Sequence, residues 1–200
     1  MSDLLLASAS PARLATLRSA GIEPSVVVSG VDESQVTEAD PARFVSRLAE
    51  LKARAVRAQV GDGGRPRWLL GCDSVLAFDG EILGKPADAA VAVRRWQRMR
   101  GRSGVLHTGH CLLDLCGGRE VQRAAATAVH FADVSDEEIE AYVATGEPLQ
   151  VAGAFTIDGL GGAFVTRIEG DHHNVVGLSL PVLREMFAEL GVPWTDLWSR

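Results

Sequence analysis

The feature that most constrains how this chain folds is an unbroken apolar run, Trp68-Leu69-Leu70-Gly71-Cys72. A strand with one solvent-exposed face alternates between apolar and polar residues, so an unbroken apolar run is typical of a strand buried on both faces. Asp73 and Ser74 follow this run directly, and the strand is predicted to continue as Val75–Phe78. A carboxylate is costly to bury unless something pairs with it. The sequence therefore predicts a central buried strand that carries the charged carboxylate of Asp73.

The segments around this strand alternate between helix starts and hairpin turns. The predicted helix N-caps are Ser10, Asp40 and Ser135, the last with the spacing of a capping box, and a further helix is predicted to begin at Asp88. Asp79-Gly80 is a two-residue turn that predicts a hairpin. Strand-helix-strand units mixed with hairpins indicate an α/β fold with a mixed sheet. We find no linker or repeat and expect residues 1–200 to form a single domain.

The helix that begins at Asp40-Pro41 is predicted to bury one side. Its apolar stripe comprises Phe44, Leu48, Leu51 and Ala55, at spacings of four, three and four residues. Lys52 lies next to this stripe and not opposite it. Residues 61–66 are rich in glycine and are predicted to form a loop.

Composition excludes several classes of protein. Lys and Arg total 20 against 26 Asp and Glu, a formal net charge of -6, which argues against a nucleic-acid partner. No apolar run is long enough for a membrane span, and we expect no membrane partner. Three cysteines cannot all pair, and Cys111 and Cys116 have no standard zinc spacing to nearby histidines. We therefore expect reduced thiols and a cytoplasmic location.

Three charged residues have positions that suggest chemistry, and for two of them a plainer alternative exists. Asp73 either bonds local backbone, or it holds a divalent cation, activates water or does both. Lys85, between a glycine and a proline, is either an ordinary surface lysine or a phosphate ligand. Arg13 lies in the first turn of a helix, where a cation does not suit the helix dipole. A bound anion would explain it, because the corner at Ser8 and Ser10 presents backbone N–H groups.

Nine short stretches along almost the whole chain are informative when they are taken together. They are Leu6–Pro11 with Arg13, Val31–Glu33, Leu51–Ala53, Gly71–Ser74, Asp79–Pro86, His107–Gly109, Val129–Phe131, Thr145–Pro148 and Asn174–Leu178. These stretches resemble the Maf family of nucleoside triphosphate pyrophosphatases and occur in the family's order. The resemblance implies a two-lobed α/β fold with a central cleft, related in shape to the inosine triphosphate pyrophosphatases. It also implies a homodimer.

The implied reaction is hydrolysis of a nucleoside triphosphate to a monophosphate and pyrophosphate, in the house-cleaning of non-standard or modified nucleotides. The implied cofactor is Mg²⁺ or Mn²⁺. By this resemblance, Asp73 is the proton acceptor, and Glu33 and Asp73 are metal ligands. The implied substrate-binding residues are Ser8, Ser10, Arg13, Lys52 and Lys85. The alternative is a regulatory protein that acts in septum formation or division arrest by binding.

Three positions depart from the family branch that takes thymidine and uridine triphosphates. Ala12 stands where an arginine is usual, Ser74 replaces a threonine, and Asp158 stands where that branch has a glutamine. A carboxylate accepts hydrogen bonds only, whereas an amide both donates and accepts. We therefore predict a reduced pyrimidine preference, in favour of a guanine-type or modified base.

Overall fold

The computed structural model describes residues 3–61 and 66–199, so most of the predicted loop at 61–66 lies outside the described residues. The strands are β1 (Leu4–Ala7), β2 (Ser25–Val26), β3 (Trp68–Phe78), β4 (Glu81–Leu83), β5 (Ser103–Asp114), β6 (Glu120–Phe131) and β7 (Val165–Glu169). The helices are α1 (Pro11–Ser19), α2 (Pro41–Val60), α3 (Ala89–Met99), α4 (Asp136–Ala144), α5 (His172–Val176) and α6 (Leu180–Glu189). Within the described ranges, none of these helices has the length and apolar character that a membrane crossing requires.

The strands form one mixed sheet, which confirms the predicted α/β fold with a mixed sheet. Its order is β2-β1-β3-β5-β6-β7, with β4 paired to β3. β1 is parallel to both β2 and β3, whereas β4 is antiparallel to β3 and β7 to β6. Asp40 and Ser135 are N-caps as predicted, and Asp88, where a helix was predicted to begin, is the N-cap of α3. Each side chain accepts a hydrogen bond from a backbone N–H in the first turn.

The apolar run that begins at Trp68 is buried throughout, as predicted. As predicted, the strand continues beyond Asp73 and Ser74, so that Asp73 lies inside β3. β3 continues without a break to Phe78, since its second half pairs with β4 across the Asp79-Gly80 turn. The first half pairs with β1, whose register ends at the pair Ala7–Gly71. Asp73 therefore lies between the segment of β3 that pairs with β1 and the segment that pairs with β4.

The chain divides into two compact units. The first comprises residues 1–73, 108–125 and 177–200, and the second comprises residues 74–107 and 126–176. The first unit contains two apolar clusters. One includes Leu6, Leu70 and Phe187, and the other includes Ala49, Ala53 and Leu69.

The buried face of α2 is offset from the predicted stripe. It comprises Val45, Leu48, Ala49, Ala53 and Val56, whereas only Leu48 of the predicted stripe is fully buried. The reason lies in two strand glycines of the same unit. A Cβ on Gly71 would overlap the carbonyl of Ala49, and one on Gly109 would overlap the carbonyl of Val45. The helix backbone rests directly on glycine, so small residues of α2 face the sheet.

The end of β5 in the first unit is fixed by the buried carboxylate of Asp114. Its Oδ1 accepts hydrogen bonds from the backbone N–H groups of Cys116 (3.1 Å) and Gly117 (2.9 Å). Arg67 donates to both carboxylate oxygens, at 3.2 and 3.1 Å, while its guanidinium lies 4.4 Å from the ring centroid of Trp68. The Arg67 hydrogen bonds are the main reason that the pKa of Asp114 falls to about 2, although burial opposes the shift.

We predict that Asp114→Asn destabilises the protein at neutral pH and much less in acid. A lowered native pKa stabilises the fold above the ordinary aspartate pKa of about 4, and this stabilisation is lost as the pH falls towards 2. The expected loss in the free energy of unfolding is about 2 kcal/mol at pH 7. Urea unfolding of wild type and variant between pH 7 and pH 2.5 (about the range of the titration) measures it.

Glu140→Gln is the control, because Glu140 is exposed on α4. It is expected to change the free energy of unfolding by less than about 0.5 kcal/mol. A difference between wild type and Asp114→Asn that stays constant with pH would contradict the linkage to Asp114.

The second unit is built around Trp96 of α3, which is 1% exposed. Its indole makes edge-to-face contacts with Phe131, Tyr142 and Phe164, with ring centroids 5.6 to 5.8 Å apart. The indole N–H donates to the carbonyl of Ala154 at 2.7 Å. Ala154 has a φ of 62°, in the left-handed region, so this hydrogen bond secures a backbone turn that is otherwise unfavourable for alanine.

Candidate active site

The centre of the candidate site is a group of three charges in the first unit. Lys52 of α2 donates from Nζ to Oδ1 of Asp73 in a short hydrogen bond, and the same Nζ lies 2.7 Å from Oε1 of Glu33. Glu33 begins a 3-10 turn, Glu33–Gln35, which is capped by Asp32. The Lys52 and Asp73 side chains are only 12% and 9% exposed, whereas that of Glu33 is 56% exposed. The structure therefore brings together three residues that are far apart in sequence.

Burial controls the acidity of Asp73. Removal from water raises the pKa of this carboxyl group, and the nearby charge of Glu33 acts in the same direction. The charges of Lys52 and Arg13, with the hydrogen bond from Lys52, partly offset that rise. The net direction is upward, so Asp73 is a stronger base than an exposed aspartate.

Arg13 is buried and tied to the protein's own backbone. Its Nε donates to the carbonyl of Gly177 at 2.7 Å, and its Nη1 donates to the carbonyl of Cys72 at 3.0 Å. Nη1 also lies 3.2 Å from Oγ of Ser8. These acceptors account for a cation in the first turn of α1 without a bound anion. Arg13 also fixes the strand backbone immediately before Asp73, and its contact with phosphate stays a prediction.

The corner between β1 and α1 has the predicted cap but is partly closed by its own side chains. Ser10 is the N-cap and accepts a hydrogen bond from the N–H of Arg13 at 3.4 Å. The N–H of Ser10 donates in turn to Oγ of Ser8 at 3.1 Å. Because two N–H groups of this corner already have acceptors, an anion here would meet a smaller set of donors than the sequence alone suggests. Ala12 lies half-buried on the same first turn.

The carboxylates of Asp73 and Glu33 fit the metal that the resemblance implies. Both reach one cation, the Nζ of Lys52, so they converge on a position where positive charge is favourable. Their donor atoms are hard oxygens, and magnesium is commonly held by one or two carboxylates together with substrate phosphates. Among the described residues, no group of three or more His, Cys, Asp or Glu side chains forms a complete metal cage. The donor set therefore suits a cation that arrives with a phosphorylated substrate.

Lys85 belongs to the second unit and follows β4 on a fixed corner. The carbonyl of Gly84, just before it, accepts hydrogen bonds from Nη1 of Arg95 (2.6 Å) and from the N–H of Gly153 (3.2 Å). Pro86, just after it, is buried. The Lys85 side chain itself is exposed. Its backbone is thus held on both sides while its ammonium group stays available to a ligand.

The other two predicted specificity residues also lie in the second unit. Ser74 is half-buried in β3, directly after Asp73. Asp158 is exposed in a glycine-rich segment that forms short 3-10 turns and no longer elements. Sequence reasoning assigned no role to Arg95 or Glu147. Glu147 stands in the family-like stretch Thr145–Pro148, a signal that could have directed attention to it.

The fold and the charge group of Lys52, Asp73 and Glu33 together define a class of protein. It is an α/β protein in which the loop after β1 and the Asp73 carboxylate of the neighbouring parallel strand β3 supply polar groups. Many open α/β sheets bind ligands at a site of this kind. The family profile described as Maf-like protein matches residues 3–190. The chain belongs to this family.

Two relatives show how far the similarity extends. A nucleoside triphosphate pyrophosphatase of Salinispora tropica is 64% identical over 198 residues, which cover 98% of this chain and 88% of the relative. One of Streptomyces coelicolor is 55% identical over 196 residues, which cover 98% and 94%. Among solved structures, the Staphylococcus aureus Ham1 protein is similar at a TM-score of 0.44 and 14% identity, over 65% of this chain and 72% of that chain.

Proposed function

We propose that this protein hydrolyses nucleoside triphosphates to the monophosphate and pyrophosphate. The observation that carries the proposal is the buried Asp73 carboxylate, held by Lys52 beside Glu33. Family membership and relatives named nucleoside triphosphate pyrophosphatase support the same reaction. The regulatory alternative is not favoured, because binding alone would not require a buried acid, a lysine and a second acid to converge.

Asp73 acts as the proton acceptor in the proposed reaction. Its carboxylate takes a proton from water, and the water oxygen attacks the α-phosphorus. The bond from that phosphorus to the oxygen bridging the β-phosphate breaks, and pyrophosphate leaves with the bonding electrons. Burial raises the pKa of Asp73, which strengthens it as a base.

Three cations counter the charge of the triphosphate. Lys52 already lies at the acid group and can interact with a phosphate oxygen near Asp73. Lys85 offers an exposed ammonium group on a fixed backbone. Arg13 uses Nε and Nη1 for protein carbonyls, and its proposed phosphate contact would compete with these bonds. Positive groups placed before the reaction stabilise charge that develops on the phosphates.

Asp73 and Glu33 are the proposed ligands of the divalent cation. When bound, Mg²⁺ or Mn²⁺ would polarise phosphoryl oxygens and neutralise their charge. Lys52 shares these carboxylates, so it helps to hold them together before the cation and substrate arrive. The homodimer and the cytoplasmic location stay predictions from the resemblance and from the composition.

A nucleotide panel tests both the reaction and the specificity. With Mg²⁺ or Mn²⁺, we expect pyrophosphate release from at least one guanine-type or modified triphosphate, at higher kcat/KM than from dTTP or UTP. Ala12, Ser74 and Asp158 carry this expectation, because none of them is the residue of the thymidine/uridine branch. Asp158→Gln is expected to shift the preference towards dTTP and UTP, since it restores an amide that both donates and accepts.

Different outcomes of the panel would contradict the proposed specificity and the proposed reaction. Clear preference of the wild type for dTTP and UTP would contradict the specificity but leave the reaction intact. Absence of pyrophosphate release from every triphosphate, with either metal, would contradict the reaction itself.

A further inference from the structure

A single carboxylate in the second unit organises the segment that carries Asp158. Glu147 lies in the 3-10 turn after α4 and is half-buried. Its Oε1 accepts hydrogen bonds from the hydroxyl of Thr156 and from the N–H of Gly161 at 3.1 Å. Its Oε2 accepts one from the N–H of Leu160 at 3.1 Å. Three donors from residues 156–161 therefore meet at one side chain.

Tyr142 completes this arrangement from the side of α4. Its hydroxyl donates to Oε1 of Glu147 at 3.1 Å and accepts a hydrogen bond from the N–H of Thr156 at 3.2 Å. Burial alone would raise the pKa of Glu147, but hydrogen bonds from Thr156, Gly161 and Leu160 outweigh it and lower the pKa. Glu147 is therefore ionised at neutral pH, and its hydrogen bonds are of the stronger, charge-assisted kind.

The segment approaches Glu147 and Tyr142 so closely that a side chain at Gly159 or Gly161 would meet them. A Cβ on Gly159 would lie 2.7 Å from Oε2 of Glu147. A Cβ on Gly161 would overlap the hydroxyl of Tyr142 and lie 2.8 Å from the carbonyl of Thr156. A side chain at either position would push the backbone away from the carboxylate, so the hydrogen bonds to Glu147 depend on both glycines.

Asp158 lies between the anchored ends of this segment. Thr156 is held two residues before it, and Leu160 is held two residues after it, by the same carboxylate. Asp158 is exposed and therefore free to face a ligand. The hydrogen bonds on both sides of Asp158 therefore end on the same carboxylate.

We propose that Glu147 is a positioning residue for base selection, because its carboxylate fixes residues 156–161 and thereby the placement of Asp158. This inference rests on the proposed function and extends it. Glu147 is not catalytic, since it acts on the substrate only through the segment that it holds. A misplaced specificity group weakens discrimination between substrates even when the reacting groups are intact.

The test compares Glu147→Gln with wild type in the nucleotide panel. Glutamine keeps one acceptor oxygen but turns the other into an NH₂ group, which faces the N–H of Leu160 or of Gly161 as a second donor. We expect the kcat/KM ratio between the best and worst nucleotides to fall about tenfold, mainly through KM. We also expect faster amide hydrogen exchange at Leu160 and Gly161, since each of these N–H groups donates to Glu147.

Glu138→Gln is the matched control. It makes the same chemical change in the capping box of α4, where Glu138 accepts a hydrogen bond from the N–H of Ser135 at 2.8 Å. It is expected to leave the selectivity ratio unchanged. Gly159→Ala serves as a second variant if Glu147→Gln folds poorly. It introduces a methyl group against Oε2, and its φ of -132° is acceptable for alanine.

A double-variant comparison separates positioning from general stabilisation. If Glu147 acts through Asp158, then Glu147→Gln combined with Asp158→Asn has the selectivity of Asp158→Asn alone. Additive losses, or unchanged selectivity in Glu147→Gln despite faster amide exchange, would overturn the proposal. A wild type that releases pyrophosphate from no nucleotide would overturn the proposed function and this inference with it, an outcome distinct from an active wild type with unchanged selectivity.

Discussion

Asp73→Asn is expected to lower kcat for pyrophosphate release about 10²- to 10⁴-fold, the usual range for loss of a general acid or base. Asparagine has nearly the same shape and can still accept the hydrogen bond from Lys52, but it cannot take a proton from water. The variant is expected to remain as stable as wild type or to become slightly more stable, because it removes the cost of burying a charge. Steady-state rates with Mg²⁺ and Mn²⁺, together with urea unfolding, measure both effects.

Asp133→Asn is the control for this variant. Asp133 is exposed, so the same chemical change there is expected to leave kcat within about twofold of wild type. If Asp73→Asn retained undiminished turnover, the proposed role of Asp73 would be wrong. A loss of turnover that merely followed unfolding would show as a lowered urea midpoint, which separates a structural effect from loss of the base.

Trp96→Ala is expected to lower the free energy of unfolding by about 3–5 kcal/mol, the largest stability effect that we predict. The indole is 1% exposed and contacts three aromatic rings of the second unit. The truncation leaves a cavity among these rings and also removes the donor to the carbonyl of Ala154. Urea unfolding followed by circular dichroism measures the loss without relying on tryptophan fluorescence.

Trp96→Phe separates the two contributions. Phenylalanine keeps part of the ring packing but has no N–H, so the carbonyl of Ala154 loses its donor. The expected loss is smaller, about 1–3 kcal/mol. Equal losses in the two variants would contradict a large packing contribution, and a loss below about 1 kcal/mol in Trp96→Ala would contradict the role of Trp96 as the centre of this core.

Local signals in the sequence predicted the secondary structure well where the physics is local. N-cap side chains at Asp40, Asp88 and Ser135 bond N–H groups three residues ahead, so their effect is encoded within one turn. The Asp79-Gly80 turn forms the expected hairpin, with both residues at positive φ. Burial of the Trp68 run followed from the absence of any polar residue along it.

The sequence was less informative where distant segments meet. The buried face of α2 differs from the predicted stripe because Gly71 and Gly109 let the helix backbone approach the strands, which no spacing within α2 encodes. The acceptors of Arg13, the carbonyls of Cys72 and Gly177, belong to backbone and leave no mark in the residue pattern. The same holds for the backbone N–H groups of Leu160 and Gly161, which donate hydrogen bonds to Glu147.

The class of fold, the buried strand and the need of Asp73 for a partner are all visible in the amino-acid sequence. These features depend on hydrophobic periodicity and on the cost of burying a carboxylate, which a linear pattern displays. The folded structure was needed to show which cation pairs with Asp73, how Arg13 is held and which residue anchors the segment around Asp158. Each of these depends on atoms 21 to 164 residues apart or on backbone groups common to nearly every residue type. Such contacts exist only after the chain has folded.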